Sequence, residues 1–235
     1  MRFAIHEVPT MKLYLFRHGQ STFNRDKKFT GFLDARLTAQ GIEDARTVGR
    51  KLARRRFDIA FQSDLTRSKQ TLKEVLSFQT RPIEVITDPR IKERNYGDLA
   101  GRHHAEYLEA CGEELYAVLV KKGVLPRVDD PREHEALIGK LGRAKFDIYH
   151  RSYKIPPPNG ESISMVEERV LAFIADLLVL MRERRVNVAV SAHGNSMRPF
   201  RRFFEGLSVE QMMTLSNPWD DFFEYDVTDS WPQLR

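Results

Sequence analysis

Two His-Gly dipeptides carry the most chemistry in this chain. Arg17-His18-Gly19 closes the apolar run Met11 to Phe16, and His193-Gly194-Asn195 closes Val186 to Ala192. Both runs have strand length, which places both imidazoles at strand ends. In a parallel sheet those ends share one edge, so the two rings can reach one cleft. Glycine after each histidine lets the backbone turn sharply and approach a ligand. A neutral imidazole nitrogen is a competent nucleophile toward phosphorus near neutral pH. A phosphoryl group in flight spreads charge over three oxygens, which guanidinium forks stabilise. Arg17 adjoins the first histidine, and Arg67 opens a helix after the Phe57 to Gln62 strand, where the same cleft should lie. Asn24 and the Thr30-Gly31 turn add neutral donors. A leaving alkoxide needs a proton, and Glu93, in Glu93-Arg94-Asn95-Tyr96-Gly97, is the best placed carboxyl. Singly, each residue has a plainer reading: a surface imidazole, a surface ion pair for Glu93, simple packing for Tyr96. Their combination points to phosphoryl transfer.

The elements that must position these groups alternate. After the strand Met11 to Phe16, Thr38 is the N-cap of a helix whose Ile42, Ala45, Val48, Leu52 and Ala53 recur at three- and four-residue steps. Phe57, Ile59 and Phe61 form a second strand, Asp64 to Phe78 a second helix, and Ile83 to Ile86 a third strand. Ser162 to Arg185 is the clearest helix, with Ser164 and Glu167 as a capping box. The strand Val186 to Ala192 precedes a helix to Phe204 that Gly206 stops, then a capping box at Ser208 and Gln211, and a final strand Phe222 to Val227. This order predicts an α/β fold: a three-layer αβα sandwich with a mostly parallel sheet. Residues 102–148 are charged and without strand signals, and are expected as a helical insertion over the active-site edge of a single domain spanning 1–235. Residues 1–10 are expected as an N-terminal extension.

Composition narrows the classes. With 41% hydrophobic and 30% charged residues in 235, the chain can bury a core. No apolar run reaches the roughly 18 residues of a spanning helix, and the N-terminus lacks the apolar segment of a signal peptide. One cysteine, Cys111, permits neither an internal disulfide nor a thiolate metal cluster, and a reducing cytoplasm is the expected compartment. The net charge of +5 suits a small phosphorylated metabolite as well as nucleic acid. Nucleic acid lacks support, since there is no P-loop, helix-turn-helix or aromatic-interleaved basic stripe. No H-E-x-x-H or carboxylate run with metal-ligand spacing occurs, so no metal is expected.

In order along the chain, LFRHGQSTFN (15–24), FTGFLDARLTAQG (29–41), SDLTRSKQT (63–71), KERNYGDLAG (92–101), HRSYKIPPPNGES (150–162) and AHGNSMRPF (192–200) resemble the histidine phosphatase superfamily. Within it, FTGFxD and RSYxxPPP resemble the cofactor-dependent phosphoglycerate mutases. The resemblance implies that His18 becomes phosphohistidine, that Arg17, Arg67, Asn24, His193 and Gly194 hold the phosphoryl group with Asn195 assisting, and that Glu93 donates and accepts the proton. It also implies that Thr30, Gly31, Arg94, Tyr96 and Arg151 contact the rest of a phosphoglycerate. The implied reaction interconverts 3-phosphoglycerate and 2-phosphoglycerate, with 2,3-bisphosphoglycerate as primer and no metal. Pairing of helices on a sheet edge leaves a homodimer open.

Three departures stand against that pattern. His104 replaces a usual lysine, and His150-Arg151 replaces an arginine pair. Two imidazoles thus stand for two fixed cations, each worth on the order of 1.5–3 kcal/mol against an anion. Asn217-Pro218-Trp219-Asp220-Asp221 stands where mutases carry a T-G-x-P-like turn, and the segment between Cys111 and Tyr149 exceeds the short mutases. Hydrolysis of small phosphate esters through the same phosphohistidine is therefore a second reading. A non-catalytic binding module on this fold is a third.

Overall fold

Leu13 and Leu15 are buried on one side of the first strand, Tyr14 and Phe16 on the other. A strand apolar on both faces needs helices above and below it, and the computed structural model, which describes residues 10–229, has them. The strands are β1 (Met11–Arg17), β2 (Ile59–Gln62), β3 (Glu84–Thr87), β4 (Val188–Ala192) and β5 (Phe222–Val227). They form one sheet in the order β3-β2-β4-β1-β5, parallel except for β5. The helices are α1 (Thr22–Arg25), α2 (Ala39–Leu52), α3 (Thr66–Leu76), α4 (His104–Lys121), α5 (Pro131–Arg151), α6 (Ile163–Arg184), α7 (Met197–Glu205) and α8 (Val209–Thr214). Residues 1–9, most of the expected extension, lie outside the described residues.

The chain forms two compact units. Among the described residues, one comprises 10–22, 34–93 and 166–229; the other comprises Phe23–Leu33 and Arg94–Met165. In the first unit, Val166, Val170, Phe173, Ile174, Leu177 and Met181 of α6, with Met197 and Phe200 of α7, cover one sheet face. Val48 and Leu52 of α2 and Leu72 and Val75 of α3 cover the other. Each large apolar side chain buried this way contributes about 1.5–3 kcal/mol, whereas an exposed ion pair contributes about 0–1. The strand ends that bear the histidines are therefore fixed by the core.

Several local expectations hold. The Thr38 side chain accepts from Gly41 N–H at the start of α2, Ser208 and Gln211 form a complete capping box on α8, and Gly206 ends α7 at φ 64. The capping box expected at Ser164 and Glu167 is not formed. Ser162 Oγ instead accepts from Met165 N–H, 3.2 Å away, and Glu167 is buried against the Arg202 guanidinium. The strand expected from Val186 begins at Val188, because Arg185 takes the left-handed conformation (φ 53) as the chain leaves α6.

In the second unit, α4 and α5 pair, and Asp130 caps α5 by accepting from Arg132 and Glu133 N–H. Phe29, Tyr96, Leu99, Tyr107, Cys111 and Phe146 form its core. Among the described residues no helix is long and apolar enough to cross a membrane.

Candidate active site

His18 leaves β1 with its N–H donating to Ala192 O at 3.0 Å, so the ladder to β4 continues one residue past the strand. Its ring is 2% exposed, and Nδ1 lies 2.7 Å from Gly19 O. A carbonyl only accepts, so Nδ1 carries the ring proton and Nε2 keeps its lone pair. Burial, then the charges of Arg67 and Arg17, hold His18 well below the usual histidine range. The ring is neutral at neutral pH, as a nucleophile must be.

His193 follows β4 and is fully buried, its ring centroid 4.9 Å from that of His18. Ser63 Oγ is 2.7 Å from His193 Nε2 and also accepts from Leu65 N–H. When the serine hydroxyl donates to Nε2, the proton of this ring sits on Nδ1, which has no hydrogen-bond partner among the described residues. Burial, Arg67, His18 and Arg17 in that order push His193 well below its usual range.

Arg67 stands in the first turn of α3 and is 1% exposed. Burial pulls its guanidinium down to about 10, which leaves it charged at neutral pH. The end of that helix is held by Asp34, whose carboxylate accepts from Thr66 N–H at 2.7 Å and from Thr66 Oγ at 2.5 Å. Glu93 is buried, and its Oε1 accepts from Asn195 N–H at 3.1 Å, tying the acid to the His193 loop. Arg169 of α6 donates to the carbonyls of Arg90, Lys92 and Glu93 at 2.6, 3.0 and 2.9 Å and so fixes the backbone that carries the acid. Arg17 NH1 donates to Asn217 O at 3.1 Å, and its guanidinium lies 5.2 Å from the Trp219 ring centroid.

Both glycines are closely packed. A Cβ on Gly19 would fall 2.0 Å from Gly41 O, so this glycine admits the α2 backbone against the loop. A Cβ on Gly194 would meet the Arg17 guanidinium at 3.3 Å.

One ring nitrogen each from His18 and His193 and a Glu93 oxygen lie within 4.8 Å of one another. Two imidazoles and a carboxylate have the composition of a metal site, but Arg17 and Arg67 beside them oppose a cation and favour an anion. A phosphate-sized anion there meets a nucleophile, a second imidazole, two guanidiniums and a carboxyl group.

A family model for the histidine phosphatase superfamily (branch 1) matches residues 13–128 and 129–221. The chain belongs to the histidine phosphatase superfamily. It is similar to a 2,3-bisphosphoglycerate-dependent phosphoglycerate mutase of Parvibaculum lavamentivorans, 35% identical over 95% of this chain and 93% of that protein. It is also similar to one of Rhizobium rhizogenes, 36% identical over 87% and 84% respectively. The alpha-ribazole phosphatase of Shigella flexneri is a similar solved structure, with TM-score 0.69 and 26% identity, covering 96% of this chain and 95% of that one.

The remaining residues expected to contact substrate in this superfamily member lie in the second unit. Thr30 is buried, and Gly31 adopts φ 53, where a Cβ would come 2.9 Å from Tyr96 N. Tyr96 is buried with its ring 5.1 Å from Phe29, so the packing reading accounts for its position. Arg94 is fully buried and donates to the carbonyls of Glu161, His150 and Tyr149 at 2.5, 3.3 and 2.8 Å; its guanidinium holds the backbone. His104 packs 4.3 Å from Phe29 and 5.9 Å from His150, which stacks on Phe146 at 4.8 Å. Burial, then His103 and Lys27, lower the His104 pKa, which disfavours the charged form of this imidazole. Asn24 lies in α1, and Arg151 is the last residue of α5.

Sequence reasoning missed Ser63, Asn217 and Arg169. The signals available were the departure at Asn217-Pro218 and the place of Ser63 at the head of SDLTRSKQT.

The two buried rings carry a consequence for stability. An unfolded histidine titrates near 6.5, whereas both folded rings stay neutral well below that. Below about pH 6.5 the unfolded chain binds more protons, so stability falls as pH falls, by up to about 1.4 kcal/mol per pH unit for each ring. Urea unfolding between pH 7 and pH 5 is expected to show this slope, and His18→Asn to make it shallower. Identical slopes in the two proteins would overturn the assignment of neutral rings.

Proposed function

We propose that the protein is a phosphoglycerate mutase working through phosphohistidine at His18. The observation that carries the phosphoryl chemistry is the unprotonated Nε2 of a neutral, buried His18 beside two guanidiniums. The mutase assignment is supported by the relatives of that name at 35–36% identity. Nε2 of His18 attacks phosphorus of 2,3-bisphosphoglycerate, the P–O bond to carbon breaks, and Glu93 gives a proton to the departing alkoxide. Arg17, Arg67 and His193 hold the oxygens of the phosphoryl group in transit. When the 3-phosphoryl departs, 2-phosphoglycerate is left and released. An incoming 3-phosphoglycerate attacks the phosphohistidine with its 2-hydroxyl, Glu93 removes that hydroxyl's proton, the nitrogen–phosphorus bond breaks, and the bisphosphate primer is regenerated. The chain's own residues supply the acid, base and nucleophile for these steps. The proposed place of work is the cytoplasm.

Hydrolysis is the second reading. It draws on His104 and His150, which stand among phenyl rings where a mutase needs cations for a second anion. The structural likeness to a phosphatase at 26% identity supports it as well. One assay separates the two: purified protein with 3-phosphoglycerate and a trace of 2,3-bisphosphoglycerate, followed by phosphorus NMR. The expected product is 2-phosphoglycerate without net inorganic phosphate. Phosphate release with no isomer would replace the mutase by a phosphatase. Neither product, with no label on His18, would leave only a binding module.

A further inference from the structure

The two histidine loops leave neighbouring strands and diverge, His18 toward α1 and His193 into α7. A third segment, Ser216–Trp219, joins them again. Asn217 is 7% exposed, and its backbone oxygen and both side-chain polar atoms are hydrogen-bonded. Its backbone oxygen accepts from Arg17 NH1 at 3.1 Å, on the His18 loop. Its Nδ2 donates to Gly194 O at 2.9 Å, on the His193 loop. Its Oδ1 accepts from Arg201 NH1 at 3.2 Å.

Arg201 is itself fixed. It donates to Ser216 O at 2.9 Å and to both carboxylate oxygens of Glu205, and it lies 4.2 Å from the Phe223 ring centroid of β5. Tyr225 of the same strand donates to Glu205 Oε1 at 2.7 Å. A rigid path thus runs from the sheet edge through Arg201 to the Asn217 carboxamide. From there it reaches Arg17 and Gly194, which pack closely enough that a Cβ on Gly194 would lie 3.3 Å from the Arg17 guanidinium. An arginine side chain has many rotamers, and the guanidinium that meets a phosphoryl group must sit within a fraction of an ångström of its place.

We propose that Asn217 is a positioning residue for phosphoryl transfer: its carboxamide, anchored by Arg201, sets the spacing between Arg17 and the His193-Gly194 turn. This rests on the reading that His18 accepts the phosphoryl group. Removing the carboxamide frees Gly194 O and Arg201, and the Asn217 carbonyl that holds Arg17 loses its anchor. Asn217→Asp keeps the shape and the acceptor for Arg201 but sets a carboxylate oxygen against Gly194 O.

The test uses single-turnover phosphorylation by 2,3-bisphosphoglycerate, with inhibition by vanadate and by inorganic phosphate. Vanadate adopts the five-coordinate geometry of in-line transfer, whereas phosphate is tetrahedral. In Asn217→Ala and Asn217→Asp the rate of His18 labelling is expected to fall about 10- to 100-fold, with half-saturation by substrate changed less than about threefold. Vanadate is expected to weaken by a similar factor and phosphate by much less. A variant that labels His18 at the wild-type rate, or one whose vanadate-to-phosphate ratio is unchanged, would overturn the proposal. So would failure of both variants to fold, which would make Asn217 a structural residue alone. Absence of His18 labelling in the wild type would instead defeat the underlying reading and is seen before any variant is made.

Discussion

Replacing His18 by asparagine is expected to lower phosphoryl transfer by about 10⁴-fold or more while leaving the fold in place. The nucleophile is one atom, Nε2, freed by the bond from Nδ1–H to Gly19 O. Asparagine has no atom of comparable nucleophilicity to put there. His193 is a poor substitute, since its Nε2 is engaged by Ser63 Oγ at 2.7 Å. The wild-type protein, mixed with bisphosphoglycerate labelled in the phosphoryl group, is expected to carry label that is stable to base and lost in acid. The variant is expected to carry none, while thermal unfolding shows a cooperative transition of similar size. Label on the variant, or turnover within tenfold of wild type, would move the nucleophile elsewhere and take the proposed mechanism with it.

Much of the fold and of this site could be read from local sequence, and the limits have a physical pattern. The two-faced apolar run of β1, the Thr38 cap, the Ser208–Gln211 box and the Gly206 stop each depend on residues within a few positions of one another. His18 and His193 were legible because β1 and β4 each end in His-Gly, and parallel pairing brings like ends together. What could not be read depends on partners far apart in the chain. Asp34 caps the helix that bears Arg67, Ser63 sets the ring of His193, Arg169 grips the loop of Glu93, and Asn217 spans 200 positions to reach Arg17. The S-x-x-E pattern at Ser164 misled because Ser162, two residues earlier, fits the helix start better and because Glu167 is taken up by Arg202. Arg94 also draws on distant partners, donating to the carbonyls of Glu161, His150 and Tyr149.

Glu93→Gln is expected to slow transfer from an aliphatic phosphate ester by about 10²- to 10⁴-fold. Glutamine keeps the size and, through its amide oxygen, an acceptor for Asn195 N–H, the bond that ties residue 93 to the His193 loop at 3.1 Å. The grip of Arg169 falls on backbone carbonyls and survives the change. What disappears is the proton, which an alkoxide needs as it leaves and a nitrophenolate does not. The loss is therefore expected to shrink to less than about tenfold when p-nitrophenyl phosphate replaces the aliphatic ester, because only the proton-transfer contribution has been removed. Phosphohistidine formation should show this dependence on the leaving group, measured as the first turnover with each ester. Equal losses on both esters would mean that the carboxylate acts by holding the two loops together, and the acid would have to be sought elsewhere. Glu93 is nearly buried beside His18 and His193, so proton transfer directly between the carboxyl and the ester oxygen is the expected route. A solvent-borne proton would serve both leaving groups of the variant alike, so the contrast between the two esters reports on that direct transfer.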